Sequence, residues 1–469
     1  MILDIQKQYG ALNISFFDAK GNKQIKKFDI SNFKSWKVCA DTDPNKSDEF
    51  KNWDGKSVKK VRPVKGKLSK FDIYEIIENL PKEDKDVITA VNFPKMSSID
   101  IETEVIDGFP NTEIAKERVT TIAVTTDDLQ AIVLGWKPMS QADQSRVQVM
   151  IDEHFAKLGL TFKFKYICFE TEFDMLYTFF SKMLPKFALV TGWNWFRFDW
   201  AYLTKRARNL GIDPAIASPV NELSYRGDLP IHLGMIDYME IYKSYDRTVS
   251  PKENHSLDTA GRQVLGINKV KYQGSIQDMY ENDYLKYVAY NAADAGLVTL
   301  IHRKLKTVNT ILSVAALNNL TIYKASSAVN LTEALMFKKF YQNNMVIADE
   351  YTSKVTGAYE GAYVKQPVPG LYDAVACFDF ASLYPSVMRQ INISPEVFVE
   401  KLSDQNEIEE KRKDKSLIVS STGAVFKNEG DSILKQVLGE LYGQRKTLKK
   451  RHLFLEIELV KLKEQLKNK

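Results

Sequence analysis

Short stretches of alternating apolar and polar residues, broken by glycines and acidic turns, open the chain. From Leu3 to about Val64 this reads as short strands and turns, because Gly10, Gly21, Asn22 and the polar stretch from Asp41 to Asp54 interrupt any helical period. A stronger strand pattern runs from Ser98 to Val105. A second, Val119 to Thr125, turns at Thr126-Asp127-Asp128 into a third, Ala131 to Trp136, which predicts three successive antiparallel strands. Helical periods follow at Glu172 to Leu184, Trp200 to Leu210 and Asp283 to Lys304, with buried strand segments such as Ala188 to Gly192 between them. Largely helical residues continue to Asn344. Tyr363 to Pro367 and Ala374 to Phe380 then predict strands, in a new domain beginning near Tyr351. The longest uninterrupted periodic stretch closes the chain, from Leu434 to about Leu466, and there is no internal repeat.

The length of 469 residues allows about three domains. Hydrophobic residues at 44% and charged residues at 27% exclude a disordered, collagenous or disulfide-scaffold chain. No apolar run reaches the roughly 18 residues of a membrane span, and Asp4 interrupts the only apolar stretch at the start, so neither a span nor a signal peptide is expected. Cys39, Cys168 and Cys377 are too far apart for any CxxC pair, which points to a reducing, cytoplasm-like compartment. The net charge of +5 is mild, but Gln444 to Lys469 holds nine Lys or Arg against three Glu. On charge alone that arm reads as a solvated helix face.

Candidate chemistry starts in Ser98-Ile99-Asp100-Ile101-Glu102. On a strand Asp100 and Glu102 point to one face while Ile99 and Ile101 point to the other. Two like charges side by side destabilise a strand unless a cation lies between them, although a wet edge strand gives the same pattern. In Asn194-Trp195-Phe196-Arg197-Phe198-Asp199 the acid precedes a helix and reads, taken alone, as an N-cap. Tyr290 and Asp294 are i and i+4 on a helical face, a pairing common in ordinary structure. Together, acids in the order D-x-E, N-x-x-x-F-D and Y-x-x-x-D supply the hard oxygen ligands that two-metal phosphodiester hydrolysis needs.

These motifs resemble the 3′-to-5′ proofreading exonuclease of family B DNA polymerases in content, order and approximate spacing. The resemblance implies that Asp100, Glu102, Asp199 and Asp294 hold two Mg²⁺ ions, with Mn²⁺ as the alternative, that Tyr290 orients the attacking water, and that Asn194 and Phe198 line the DNA strand being cut. The hairpin from Ile122 to Trp136 suits a ribonuclease-H-like sheet. Further on, Phe378-Asp379-Phe380-Ala381-Ser382-Leu383-Tyr384-Pro385-Ser386 resembles polymerase motif A, read as a strand that delivers Asp379 and breaks into a loop at Leu383-Tyr384-Pro385. By that likeness Asp379 binds the catalytic Mg²⁺ ions, while Ser382, Leu383 and Tyr384 receive the nucleotide. Met388 to Glu396 is most similar to polymerases of T4-like bacteriophages. Tyr359-Glu360-Gly361-Ala362 resembles the family's Tyr-x-Gly-Gly/Ala motif, which puts Tyr359 and Gly361 against DNA. Arg445 and Lys449, i and i+4 on the closing helix, correspond to the Arg and Lys that hold the incoming triphosphate.

The resemblance implies a multi-domain α/β fold: an N-terminal domain over residues 1–95, completed by about 305–350; a 3′-to-5′ exonuclease domain over 96–304; a partial palm over 351–433; and the first fingers helix over 434–469. The second fingers helix, motif C with its paired acids, and the thumb are missing. Asp41-Thr42-Asp43 imitates motif C but precedes every other motif, in a polar stretch ending at Pro44, and is read as coincidence. The expected function is therefore DNA-directed synthesis with proofreading by a natural split polymerase or a truncated product, completed by a second polypeptide. Leu455, Leu459, Leu462 and Leu466 form a stripe expected to pack on a partner helix. Expected partners are primer-template DNA, deoxynucleoside triphosphates and the completing polypeptide, with a sliding clamp also open, no membrane, and the cytoplasm of a bacterial host as the location. A stand-alone 3′-to-5′ exonuclease and a non-catalytic DNA-binding assembly subunit are the rival readings. Motif A counts against the first, and four intact acids, costly in one cleft without metal, count against the second.

Overall fold

The computed structural model describes all residues except 9, 64–67, 107, 225–227, 246–253, 349–362, 381 and 468–469. It divides into two compact units, residues 1–32 with 77–331 and residues 33–76 with 332–469. No helix among the described residues is long and apolar enough to cross a membrane.

The first unit begins with an antiparallel meander, β1 (Ile2–Gln8), β2 (Ala11–Phe17) and β3 (Lys23–Asp29). Its main body is a six-stranded mixed sheet built from β4 (Met96–Thr103), β5 (Val119–Thr126), β6 (Gln130–Gly135), β7 (Lys163–Cys168), β8 (Leu189–Gly192) and β9 (Gly234–Asp237), in the order β7-β6-β5-β4-β8-β9. β4, β5 and β6 run antiparallel in succession, as the alternation predicts. The remaining pairs, β6–β7, β4–β8 and β8–β9, are parallel.

Period-two alternation sorts β4 between two cores. Ile99 and Ile101 join the apolar cluster of Met175, Leu176, Trp195, Trp200 and Leu203, contributed largely by α2 (Glu172–Thr178), α3 (Asp199–Asn209) and the turn before α3. The opposite face carries Ser98, Asp100 and Glu102 and meets α5 (Tyr284–Leu305), with α1 (Gln141–Phe155) and α4 (Leu257–Leu265) packed in the same core. Hydroxyls stitch α5 to the sheet: Thr125 donates to the Ala295 carbonyl at 2.9 Å, and Thr299 donates to Ser98 at 3.0 Å. Every residue of α5 from Tyr287 to His302 is buried, so Tyr290, Asn291 and Asp294 are held within protein rather than on a wet face.

Two helix expectations shift. The pattern from Glu172 to Leu184 is not one α-helix; α2 ends at Thr178 and continues as a wider π turn over Phe179–Met183, with Pro185 in the tight turn that follows. α3 starts at Asp199 rather than after it, and Phe198, the residue before it, has no side-chain cap. The Asp199 carboxylate instead accepts the Ile101 amide of β4 at 3.2 Å. α2, α3 and β5 are locked together by Glu172, which takes a bidentate pair from Arg206 at 2.7 and 2.8 Å and the Val119 amide at 2.7 Å.

The second unit has an aromatic core of Trp36, Phe71, Tyr74, Phe337 and Tyr341. Buried Glu75 serves it twice, accepting from Trp36 Nε1 at 3.0 Å and from Lys60 at 2.8 Å. A three-stranded antiparallel sheet of Phe398–Lys401, Ala424–Lys427 and Leu417–Val419 precedes the closing helix, Ile433–Lys467. Tyr363 to Pro367 and Ala374 to Phe380 form no strand, against expectation. Their apolar residues suit one, but a strand needs a neighbour for its amides and carbonyls. None of the described residues pairs with them, and Tyr363, Val364, Val375, Phe378 and Phe380 remain 75% to 92% exposed. The expected loop at Leu383-Tyr384-Pro385 is the first turn of a helix, Leu383–Gln390, entered through Ser382 at φ +54°; proline is tolerated in a first turn because its missing amide has no helical partner there.

Gly192 ends β8 where the chain must pass beside β4. A Cβ there would lie 2.7 Å from the Ile99 carbonyl oxygen and 2.8 Å from the Trp195 ring, both fixed by packing. Gly192→Ala is expected to cost about 1–3 kcal/mol through overpacking, read as a lower urea midpoint followed by the fluorescence of the buried tryptophans.

Candidate active site

Three sequence-distant elements of the first unit converge on β4. The strand itself presents Asp100 and Glu102 on the α5 face. β8 pairs in parallel with β4 up to Thr191 opposite Ser98, so the turn after Gly192 emerges beside the acids. That turn carries Asn194 at φ +63°, whose carbonyl accepts the amides of Arg197 and Phe198 at 3.2 and 3.1 Å, and it delivers Asp199 at the first helical position of α3. α5 supplies Tyr290, Asn291 and Asp294.

Carboxylate oxygens of Asp100, Glu102 and Asp294 lie within 4.8 Å of one another. Asp199 is outside this trio, tied to the Ile101 amide, but its charge still acts on Glu102 and on Asp100. Asp294 and Asp199 are buried, whereas Asp100 and Glu102 are half-buried, so the cluster remains accessible from solvent.

The electrostatics follow from this crowding. Burial, and then the charge of Asp294, push the Asp100 carboxyl up to about 7 against the opposing effects of Lys269 and Asn291. Burial, then the charges of Asp100 and Asp294, hold Glu102 well above the usual carboxylate range, and burial followed by Asp100 does the same to Asp199. Asp294 is raised by burial, with Lys269 opposing. Lys269 is the counter-charge: Nζ lies 2.5 Å from Asp294 Oδ2 and 5.1 Å from the centre of the Tyr290 ring. Burial would lower its pKa, but Asp294, Tyr290 and Asp100 outweigh that and keep the ammonium charged. The Tyr290 phenol is raised by burial and then by Asp294, so it is neutral at ordinary pH.

Sequence reasoning missed the groups that hold these acids in place. Asn291 donates to Asp100 Oδ2 at 2.7 Å. Asp258 on α4 accepts the Lys269 amide at 2.7 Å and so fixes the segment that brings the lysine in. Asp237 at the end of β9 accepts the Phe196 amide at 3.3 Å and braces the turn before Asp199. Phe109, 82% exposed in the connection from β4 to β5, sits 5.0 Å from Phe198, ring centre to ring centre. A buried acid cluster demands some cation, but nothing local marks Lys269 as the one among many lysines.

The donor set fits a divalent metal ion. The oxygens are hard, they share a small volume, and buried Asp294 Oδ1 has no hydrogen-bond partner among the described residues. A cleft of about 790 Å³ in the second unit is lined by apolar residues such as Phe71, Phe337 and Phe398 and holds none of these acids.

The remaining sequence-predicted residues lie in the second unit. Asp379 is exposed, Tyr384 is 73% exposed, and Arg445 and Lys449 are exposed one turn apart on the closing helix. Tyr359 and Gly361 fall outside the described residues. Asp41 and Asp43 have separate partners, Ser57 at 2.5 Å and Lys59 at 2.5 Å.

The family model for DNA polymerase family B, exonuclease domain, matches residues 53–265, and that for DNA polymerase family B matches residues 318–462. The chain is 26% identical over 383 residues to the DNA-directed DNA polymerase of Escherichia phage RB69, covering 75% of this chain and 42% of that one. It is 25% identical over 304 residues to that of Enterobacteria phage T4, covering 61% and 34%, and 27% identical over 367 residues to a DNA polymerase of Thermococcus hydrothermalis, covering 76% and 20%. The chain thus spans about two-fifths or less of the length of these relatives. Lys269, Tyr290, Asn291 and Asp294 lie between the two matched segments, and the fold brings them to Asp100 and Glu102. Exonuclease and polymerase domains of this family use divalent metals.

Titrating Mg²⁺ or Mn²⁺ into the metal-free chain is expected to raise its melting temperature, by the equivalent of about 2.7 kcal/mol at a hundredfold excess over Kd. Asp100→Asn with Glu102→Gln should abolish the rise.

Proposed function

The chain belongs to the family B DNA polymerases, and from that premise we propose that residues 96–304 form a 3′-to-5′ exonuclease that removes nucleotides from the end of a DNA strand by hydrolysis. The observation that carries the proposal is the convergence of Asp100, Glu102 and Asp294, with Asp294 Oδ1 buried and unpaired among the described residues and the ammonium of Lys269 beside Asp294. With Asp199, these acids would hold two Mg²⁺ ions, Mn²⁺ being the alternative; the ions would supply charge stabilisation at the scissile phosphate and a more acidic water.

The chain's own groups do the rest. Asn291 fixes one Asp100 oxygen and so leaves the other directed by the strand. Tyr290, kept neutral by burial and by Asp294, orients the attacking water by hydrogen bonding and does not act as a phenolate base. Lys269 limits the repulsion among the acids and keeps Asp294 ready as a ligand. Asn194 and Phe198 line the strand being cut, and Phe109 beside Phe198 offers a second aromatic face on which an unpaired base can stack.

The second unit supports a further role in template-directed nucleotidyl transfer during DNA replication, with the nuclease as its proofreading partner. Asp379 would be a metal ligand of that reaction. The amides at the start of the helix Leu383–Gln390, with Ser382, Leu383 and Tyr384, would receive the triphosphate together with Arg445 and Lys449. Tyr359 and Gly361 would contact the template. Synthesis on this reading uses primer-template DNA and deoxynucleoside triphosphates. It is completed by motifs B and C and a thumb on a second polypeptide, with a sliding clamp as a further partner, in the cytoplasm of a phage-infected bacterium. The domain limits proposed are those of the family: 1–95 with about 305–350, 96–304, 351–433 and 434–469.

On a labelled primer-template with Mg²⁺ and all four deoxynucleotides, the chain alone is expected to shorten the primer without extending it. Asp100→Ala with Glu102→Ala should slow shortening by roughly 10²–10³-fold or more; persistent trimming by that variant removes the site assignment. Phe109→Ala should weaken single-strand binding by about 1–3 kcal/mol, the worth of one stacked base, measured as a higher KM at little-changed kcat.

A further inference from the structure

Three of the four acids are steered by a donor on the carboxylate itself. Among the described residues Asn291 donates to Asp100, the Ile101 amide to Asp199 and Lys269 to Asp294, while the Glu102 carboxylate takes no hydrogen bond. The placement of Glu102 therefore rests on the backbone that carries it.

That backbone lies beside the one irregularity in the β4–β5 ladder. Opposed residues run in step from Ser97 with Thr126 to Glu102 with Thr121, and then Thr103 opposes Val119, so Thr120 is an extra residue in β5. In an unbroken strand Val119 would share the α5 face with Thr121 and Ala123, and Thr120 would turn toward the opposite core. The bulge reverses both. Val119 packs in the cluster of Ile99 and Ile101, and the buried Thr120 hydroxyl reaches Tyr287 on α5. Side chains hold the bulge from outside the ladder: the Val119 amide donates to Glu172 at 2.7 Å, and its carbonyl accepts from Trp136 Nε1 at 2.9 Å.

The Thr120 hydroxyl has a single proton to give. It donates to the Glu102 carbonyl at 2.9 Å, so the bond with Tyr287 runs from the phenol to the threonine oxygen. Tyr287 is fully buried and stands one turn before Asn291 and two before Asp294, so the helix that supplies Asp294 also grips the strand that supplies Glu102. We propose that Tyr287 and Thr120 are positioning residues for metal binding, a two-bond chain that fixes the Glu102 backbone, and with it the carboxylate, relative to Asp294. The proposal rests on the metal site of the nuclease reading and adds the residues that set its geometry.

Calorimetric titration of Mn²⁺ into the metal-free full chain tests it. Thr120→Val keeps the shape and removes the hydroxyl, and Tyr287→Phe removes the phenol; each is expected to weaken Mn²⁺ binding roughly tenfold. Thr120→Ser should bind as the wild type does. Tyr166→Phe is the control for lost buried bonds: on the edge strand β7 it gives up the Lys137 carbonyl at 2.8 Å and Tyr284 at 2.7 Å, and should leave the affinity unchanged. Should Thr120→Val fail to fold, Tyr287→Phe against Tyr166→Phe decides alone. Wild-type affinity in Thr120→Val and Tyr287→Phe overturns the positioning role and leaves the metal site standing. An equal loss in Tyr166→Phe, or no recovery in Thr120→Ser, overturns it as well, because either means general loosening. A wild-type chain that binds no Mn²⁺ overturns the nuclease reading and this one together.

Discussion

Three carboxylates confined within 4.8 Å repel one another, and much of the first unit is arranged to make that repulsion tolerable. Lys269 supplies the ammonium, Asn291 the amide donor to Asp100, and the Ile101 amide holds Asp199 just outside the trio. Each of these groups has its own support. Asp258 fixes the segment carrying Lys269, and Asp237 braces the turn before Asp199. The balance is incomplete without a cation: among the described residues one ammonium faces several acids whose proton affinities remain raised, and Asp294 Oδ1 has no hydrogen-bond partner. Under-compensated hard oxygen donors of this kind are the groups that divalent cations favour, and divalent cations are what the family's exonuclease and polymerase domains use.

The sheet turns that local requirement into a fold. A slip of two residues would keep Ile99 and Ile101 on the core face, but a shift of one would exchange them with Asp100 and Glu102 and destroy both core and site. Register is therefore fixed by the same alternation that aims the acids. The parallel pairing of β8 with β4 brings the Asn194 to Asp199 turn alongside, and the close passage at Gly192 leaves no room for a side chain. The buried α5 contributes the last acid from the opposite layer, about 190 residues further along the chain, pinned to β4 and β5 by Thr299 and Thr125.

The second unit illustrates the opposite situation. Its aromatic core is well formed around Glu75, yet the segment leading to Asp379 has strand-forming residues and no strand. Sheet structure is a property of pairs, so β propensity without a partner leaves exposed apolar chain. The closing helix differs because its hydrogen bonds are internal: it forms over Ile433–Lys467 while its leucine face stays uncovered. In both places the sequence describes a surface whose complement is not among the described contacts.

What the sequence determined by itself was local and periodic. The three antiparallel strands, the pairing of Asp100 with Glu102 on one face, Tyr290 with Asp294 on one helix, and the extent of the closing helix all follow from spacing, because each depends on neighbours a few residues away. The motif order was also legible, as a resemblance carried by residue types. Tertiary structure decided the rest. It made Asp199 the first residue of α3 instead of a cap, with its carboxylate bonded to the Ile101 amide of the neighbouring strand. It selected Lys269 as the counter-charge and Phe109 as the partner of Phe198, choices that depend on which loops reach the cluster. It withheld the strand before Asp379, where no neighbour among the described residues bonds it. Periodicity can specify which face a residue occupies, but only folding specifies what stands opposite.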